Sequence, residues 1–356
     1  MIPYYVLIIL PIILSIVKNR RSTHYDRNFS IISFFIIFIL LLFLRSINTG
    51  IDLINYQAMF INIGKTEWKN IKFFDNVEPF YIILEKIIYS TTQNYRTLLC
   101  VCALISVVPL TILYSKKSNH TALTIALFLG SCVPFSMFFS GLRQSITMGV
   151  SIIAYYFTKN KKFIPFLITV LVAYFFHQSS VILLFMYPLY KMKISKKKIP
   201  IIIILVVVSF VFNKQIFSFL IRVIARYEDR YSALTTTNAY GSLILLILFA
   251  VFSFLIPDEK HISVETRGLR NFLLFSIIIQ CFAPIHNLAM RMNYYYLLFI
   301  PVLLPKVIDE SSKKMCEIAN ISKYVMSAFF IFRFFYEAYF GADILQIFPY
   351  HFFWEV

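Results

Sequence analysis

The sequence predicts an all-α fold: a polytopic integral membrane helical bundle of about 12 spans, within a range of about 10 to 13. Three observations carry that expectation. The 356 residues are 59% hydrophobic and only 14% charged, whereas a soluble domain carries about 25% charged residues. The apolar residues form continuous runs along the whole length instead of short alternating segments, which excludes a β-barrel and leaves helices as the spanning form, because lipid-exposed backbone must satisfy its own hydrogen bonds. Lysine and arginine fall mainly in short clusters between those runs, the signature of cytoplasmic loops. The net charge of +17 therefore reflects topology, and no nucleic acid is expected as a partner.

Taken in order, the runs place helices at 2–17, 30–44, 97–115, 121–139, 143–158, 163–176, 178–190, 199–212, 241–256, 270–284, 293–308 and 324–340. The first resembles a signal peptide in length, but it has no basic leader and no cleavage site, so it reads as a retained helix. The short pair around His177 is open to three readings: one kinked span, two tight spans, or two half-helices. With 18–29, 115–120, 159–162, 191–198, 257–270 and 306–323 taken as cytoplasmic, short loops hold 21 of the 34 lysines and arginines. Both termini and two long segments, 45–96 and 213–240, then face the exoplasm. The lysine run 196–198 serves as a topology anchor. The five cysteines (Cys100, Cys102, Cys132, Cys281 and Cys316) show neither disulfide framework nor zinc spacing. Residues 1–356 read as one transmembrane domain, with no cofactor motif.

Against this apolar background the ionisable residues stand out, since a charge at membrane depth costs roughly 2.5–3.5 kcal/mol on insertion scales and marks a functional position by default. Arg45 closes the second helix, and Asp52 follows a turn at Gly50; Arg45 also fits a snorkelling residue at the lipid boundary. Glu78 precedes Pro79, which suits a first helical turn, so it is either a solvated acid at a helix start or a catalytic carboxylate. Glu85, one heptad on, reads as a surface partner for Lys86. Arg143, Thr147 and Ser151 share one stripe of a helix, flanked by Ser140 and Gln144, and that stripe faces protein or water, not lipid. His177 breaks an apolar run and is followed by Gln-Ser-Ser. A lone histidine there is often a packing residue, yet near neutral pH it can also take a proton. His286 is a secondary candidate on the same side. Arg291 heads a helix above Tyr294–Tyr296, of which at least two read as interface-belt residues. Arg333 and Glu337 are spaced to pair at i, i+4.

The order of these pieces is similar to a known family. Arg45-x6-Asp52-x3-Tyr56 comes first, then Glu78-Pro79-Phe80-Tyr81. Leu142-Arg143-Gln144-Ser145-Ile146 and Phe176-His177-Gln178-Ser179-Ser180 follow, then Arg291-x2-Tyr294-Tyr295, and last Ile347–Trp354 at the chain end. Together they resemble the EpsG/Wzy-type family of bacterial polysaccharide polymerases over nearly the whole chain. One departure is Thr147, where the family's Arg-Gln-x-Ile motif continues with a small apolar residue. The resemblance implies joining of oligosaccharide repeats carried on undecaprenyl pyrophosphate, for O-antigen, capsule or exopolysaccharide. It places that chemistry at the outer face of the plasma membrane, in agreement with the loop charges. Donor and acceptor are then both lipid-linked, the membrane lipids are a partner, and a chain-length regulator and a flippase are companions.

Such a transfer needs cations at the departing pyrophosphate, for which arginine is suited, and a base at the attacking hydroxyl. Arg143, Arg291 and Arg45 are the candidate phosphate contacts, with Gln144 and Tyr56 as further substrate-binding residues. His177, Glu78 and Asp52 are the candidate bases, unranked. A flippase or transporter of lipid-linked oligosaccharide, a glycan ligase and an acyltransferase are the competing readings. A transporter would show a charged pathway and internal repeats, and neither is visible.

Overall fold

The computed structural model describes residues 1–18, 24–73, 77–130, 135–194, 198–223 and 240–355. Cys132, most of the lysine run 196–198 and most of segment 213–240 lie outside the described residues. Among the described residues the chain forms seventeen α-helices, three 3-10 helices and no named strand. It divides into two compact units, one built from Met1–Leu183 and Lys323–Val356, the other from Leu184–Ser322.

The first unit contains α1 (Ile2–Lys18), α2 (His24–Leu44), α3 (Leu53–Lys65), α4 (Pro79–Thr92), α5 (Tyr95–Lys117) and α6 (Thr121–Gly130). It continues with α7 (Met137–Ser140), α8 (Leu142–Lys159) and α9 (Phe163–Phe176). The helix α8 is its centre and packs on α5 and α9; α2 packs on α1, α5 and α6, and α4 leans on α3 and α9. Close approach of α8 to α5 requires Gly149, since a Cβ there would collide with the backbone of Ile105 and Ser106. The polar stripe predicted on this helix faces protein. Thr147 and Ser151 are fully buried and bond back to the carbonyls of Gln144 (2.8 Å) and Met148 (2.6 Å) on their own helix.

The chain end runs along the start of the outer segment. Ser46 N–H donates to His351 O (2.8 Å), Gly50 N–H to Gln346 O (2.8 Å), Ile51 N–H to Leu345 O (3.0 Å) and Phe353 N–H to Leu44 O (3.0 Å). Buried Tyr4, from the first turn of α1, donates to Ile347 O (2.6 Å) and meets Phe135, Phe139, Phe334, Phe348 and Tyr350 edge-on. Such aromatic pairs each add about 0.5–1.5 kcal/mol beyond their buried area. Both chain ends and residues 44–51 therefore meet at one end of this unit.

The second unit contains α10 (Met186–Lys191), α11 (Ile199–Val211), α12 (Asn213–Val223), α13 (Tyr240–Leu255), α14 (Val264–Gln280), α15 (Asn287–Leu297) and α16 (Ile300–Asp309). Here α14 is central, touching α10, α11, α13, α15 and α16. The helix α17 (Cys316–Phe340) begins in this unit and ends in the first.

The fold class is helical, as expected, but several spans differ from the sequence reading. Among the described residues two helices, Tyr95–Lys117 and Lys313–Phe340, are long and apolar enough to cross a membrane, and a third counts if the pair Ile199–Val211 and Asn213–Phe219, bent by 80°, is one span. Five further apolar helices are shorter. The run 293–308 breaks at Leu298–Phe299 ahead of Pro301, which lacks the N–H that would continue the helical ladder and instead takes a place in the first turn of the next helix. The run 270–284 starts earlier, at Val264, where Ser263 caps the helix by accepting from Thr266 N–H (3.1 Å). Around His177 the chain is not one continuous helix. The helix α9 stops at Phe176, His177 is extended, and Gln178–Phe185 forms a 3-10 helix leading into α10.

Candidate functional site

Glu78 is the residue before α4, extended at φ −69° and ψ 140°, with Pro79 fixing the first helical turn. A carboxylate there would ordinarily cap the helix, yet it makes no cap hydrogen bond. It turns instead to two other elements. Its Oε2 accepts from Arg143 Nη1 on the first turn of α8 at 2.5 Å. Its Oε1 accepts from His177 Nδ1 at 3.0 Å and from the Gln178 backbone N–H at 3.1 Å. The extended backbone of His177, where α9 gives way to the 3-10 helix, is what aims both groups at one oxygen.

Side-chain exposure rises outward through the cluster: 8% for Glu78, 15% for His177 and 24% for Arg143. The carboxylate lies beneath, and the imidazole and guanidinium form the accessible edge. Burial alone would raise the Glu78 carboxyl pKa, but the His177 hydrogen bond and the Arg143 charge outweigh it and hold it down at about 2. Arg143 also reaches Tyr56, with Nε 3.4 Å from the hydroxyl and the guanidinium 5.8 Å from the ring centroid. Burial raises the pKa of the Tyr56 hydroxyl, and Arg143 partly offsets this.

Asp52 joins from the turn before α3, one helical turn from Tyr56, and accepts from Ser140 Oγ at 3.0 Å. Gly50, in the left-handed half of backbone space at φ 122°, makes that turn, as its place between Arg45 and Asp52 suggested. Gln144, next in sequence to Arg143 on α8, is buried.

Arg45 and Arg291, the other two predicted cations, belong to other elements. Arg45 is 1% exposed; its guanidinium sits 5.6 Å from the Phe139 ring centroid, and its Nη1 lies 3.5 Å from Phe138 O. Arg291 belongs to the second unit, exposed on the second turn of α15. His286, the secondary candidate, caps α15 by accepting from Leu288 N–H (3.0 Å) and stacks on Phe217. Arg333 and Glu337 pair at 2.9 Å.

Glu85 is corrected outright. It is fully buried, not a surface partner, and Lys86 donates instead to the carbonyls of Gly64 (2.7 Å) and Thr66 (2.6 Å) at the end of α3. Neither Glu85 oxygen has a hydrogen bond of normal geometry. Burial pushes its carboxyl pKa up to about 8, and the nearby Tyr81 hydroxyl and the Arg143 charge offset only part of that. Sequence reasoning also passed over the Gln178 N–H, although the break of the apolar run at His177-Gln178 was its signal.

The arrangement can orient an imidazole and present a permanent cation beside it. Among the described residues no cluster of three or more histidine, cysteine or acidic side chains is placed to hold a metal. No curated protein and no solved structure matches the chain. Residues 28–352, which include every residue of the cluster, match one family along most of the sequence. This helical membrane protein therefore belongs to the EpsG family, a family of glycosyltransferase-like polysaccharide polymerases.

Proposed function

We propose that the protein polymerises oligosaccharide repeat units carried on undecaprenyl pyrophosphate, at the outer face of a bacterial plasma membrane. In this reading His177 is the general base, Glu78 the carboxylate that orients it, and Arg143 the cation facing the departing pyrophosphate. One observation carries the reading: a single buried carboxylate holds an imidazole by one oxygen and a guanidinium by the other.

That geometry supports His177 over the other two candidate bases. Glu78 accepts three hydrogen bonds and has a pKa near 2, so it holds a proton poorly at neutral pH. Asp52 accepts from Ser140 and lies at the edge of the cluster. His177 donates Nδ1–H to the carboxylate, which puts the lone pair of the neutral ring on Nε2, the form a base requires. The acceptor hydroxyl gives its proton to Nε2 as its oxygen bonds to the anomeric carbon. The bond from that carbon to the phosphate oxygen breaks, and its electron pair leaves with the lipid pyrophosphate. Arg143 already spends Nη1 on Glu78 and Nε on Tyr56, so its Nη2 edge is the donor turned to phosphate oxygens.

A chain-length regulator and a flippase belong to this reading as companions, and membrane lipids as the medium of both substrates. Glycan analysis of a deletion strain expressing Arg143→Ala tests it. Single-repeat lipid-linked glycan on the outer leaflet, without longer products, is the expected result. Retention of glycan on the inner leaflet would mean a flippase, and polymer of ordinary length would remove Arg143 from the site.

A further inference from the structure

A second group of cations lies apart from the cluster, within the same unit. Arg45 and Arg96 line a cavity of about 410 Å³ together with Gln57, Phe60, Gln93 and Asn94. That volume suits a small ligand or one to two sugar rings. None of its lining residues is in the Glu78 cluster, since Gln57 leaves α3 on a different side from Tyr56.

Three features give this cavity one chemical preference. Arg45 is almost wholly buried; its Nε has no hydrogen-bond partner among the described residues, and its one polar contact, at 3.5 Å, is long for a hydrogen bond. Arg96 stacks its guanidinium face 3.3 Å from the Phe353 ring centroid on the chain end, while its Nη1 is buried without a partner. Stacking occupies the face of a guanidinium and leaves its in-plane donors directed sideways. The first turn of the 23-residue α5, at Tyr95 and Arg96, forms part of the same wall, and a helix N-terminus carries partial positive charge. Two guanidinium groups without carboxylate partners among the described residues, and the start of a helix, thus border one space. Carboxamides of Gln57 and Gln93, which both donate and accept, complete the wall. Gln93 is held there in the left-handed conformation at φ 52°, a strain for a residue with a Cβ.

We infer that this cavity is a second binding site, for an oxyanion carried on a sugar or lipid: a carboxylate or phosphate gripped by Arg45 and Arg96, with neighbouring hydroxyls met by Gln57 and Gln93. It goes beyond the proposed transfer reaction and does not depend on it.

Binding of glucuronate and of inorganic phosphate to the full-length protein in phosphatidylcholine nanodiscs tests the site. In an Arg143→Gln background, which removes the phosphate contact of the transfer site, saturable binding is expected, weakened about tenfold by Arg96→Gln through loss of a charged hydrogen bond and partly restored by Arg96→Lys. Gln57→Leu, which leaves both cations in place, should weaken glucuronate more than phosphate and serves if Arg96→Gln does not fold. Nanodiscs containing phosphatidylglycerol separate the sources: competition there identifies a lipid headgroup as the natural oxyanion, and undiminished probe binding identifies a soluble or glycan-borne one. Absence of saturable binding in the Arg143→Gln background would overturn the site. So would full-affinity binding by a folded Arg96→Gln.

Discussion

Two arginine–glutamate pairs in this protein have similar lengths and opposite architectures. In the first unit Glu78 is the buried partner and Arg143 the more exposed one, at 8% and 24%. In the second unit Arg270 is buried at 3% and Glu259 is exposed at 29%, with a separation of 2.8 Å. Arg270 is further closed in by Ser253 O, which accepts from Nη2 at 2.6 Å, and by the Phe254 ring. The first pair turns a cation and an imidazole outward over a hidden anion. The second turns a carboxylate outward over a hidden cation and ties the turn that carries Glu259 to α14. A pair identical on paper can thus present its cation or hide it, depending on which partner is left accessible.

Breaking the open pair should have the largest effect. His177→Ala is expected to lower polymerisation by about 10²–10⁴, the range for loss of a positioned base, with protein level unchanged. Polymer ladders normalised to membrane-inserted protein measure this, and an unchanged ladder would return the base to Asp52. Next in size is an acid limb in stability. The Glu78 carboxyl pKa is depressed in the fold from 4.5 to about 2, so its stabilisation is full above pH 4.5 and disappears as pH falls toward 2. That loss is on the order of 3 kcal/mol. Melting curves of wild type and Glu78→Gln in detergent should differ at neutral pH and converge as pH falls toward 2.

The sequence made the members of the open pair legible and left their partnership to the fold. Arg143 and His177 were conspicuous because each interrupts apolar residues, and Pro79 made Glu78 the start of a helix. Their meeting was not readable. It depends on the extended backbone at His177 and on α4 leaning against α9, which are tertiary facts. Glu85 was misread for a related reason: seven residues along α4 from Glu78, it shares a helical face, but only packing decides whether that face is buried. Arg96 is the last position of the outer segment 45–96, and nothing in its neighbourhood announces that the chain end stacks on it. The break within 293–308 was available from Pro301, but the apolar count outweighed it.

Glu85 sharpens the comparison from the same helix, as a carboxyl with no cation to hold. Its pKa is raised in the fold from 4.5 to about 8, so the folded state keeps a proton the unfolded chain releases, and stability falls as pH rises through that interval. Glu85→Gln should remove this slope and stabilise by about 1–3 kcal/mol near pH 8, where an ionised carboxyl would be buried without a partner. A melting series across pH 5 to about 8 checks it. The smallest effect belongs to the closed pair. Glu259→Ala should cost about 1 kcal/mol, since its carboxylate is partly solvated, while polymer formed per folded molecule stays unchanged. Shorter polymer from that variant would mean the second pair does more than tie that turn to α14.

The relation between Glu78 and His177 is tested most directly by nitrogen-15 NMR of histidine-labelled protein near neutral pH, with His177 assigned by its loss in His177→Asn. Protonated Nδ1 with unprotonated Nε2 in the wild type, and loss of that preference in Glu78→Gln, is the predicted result. A ring carrying its proton on Nε2, or on both nitrogens, would contradict it.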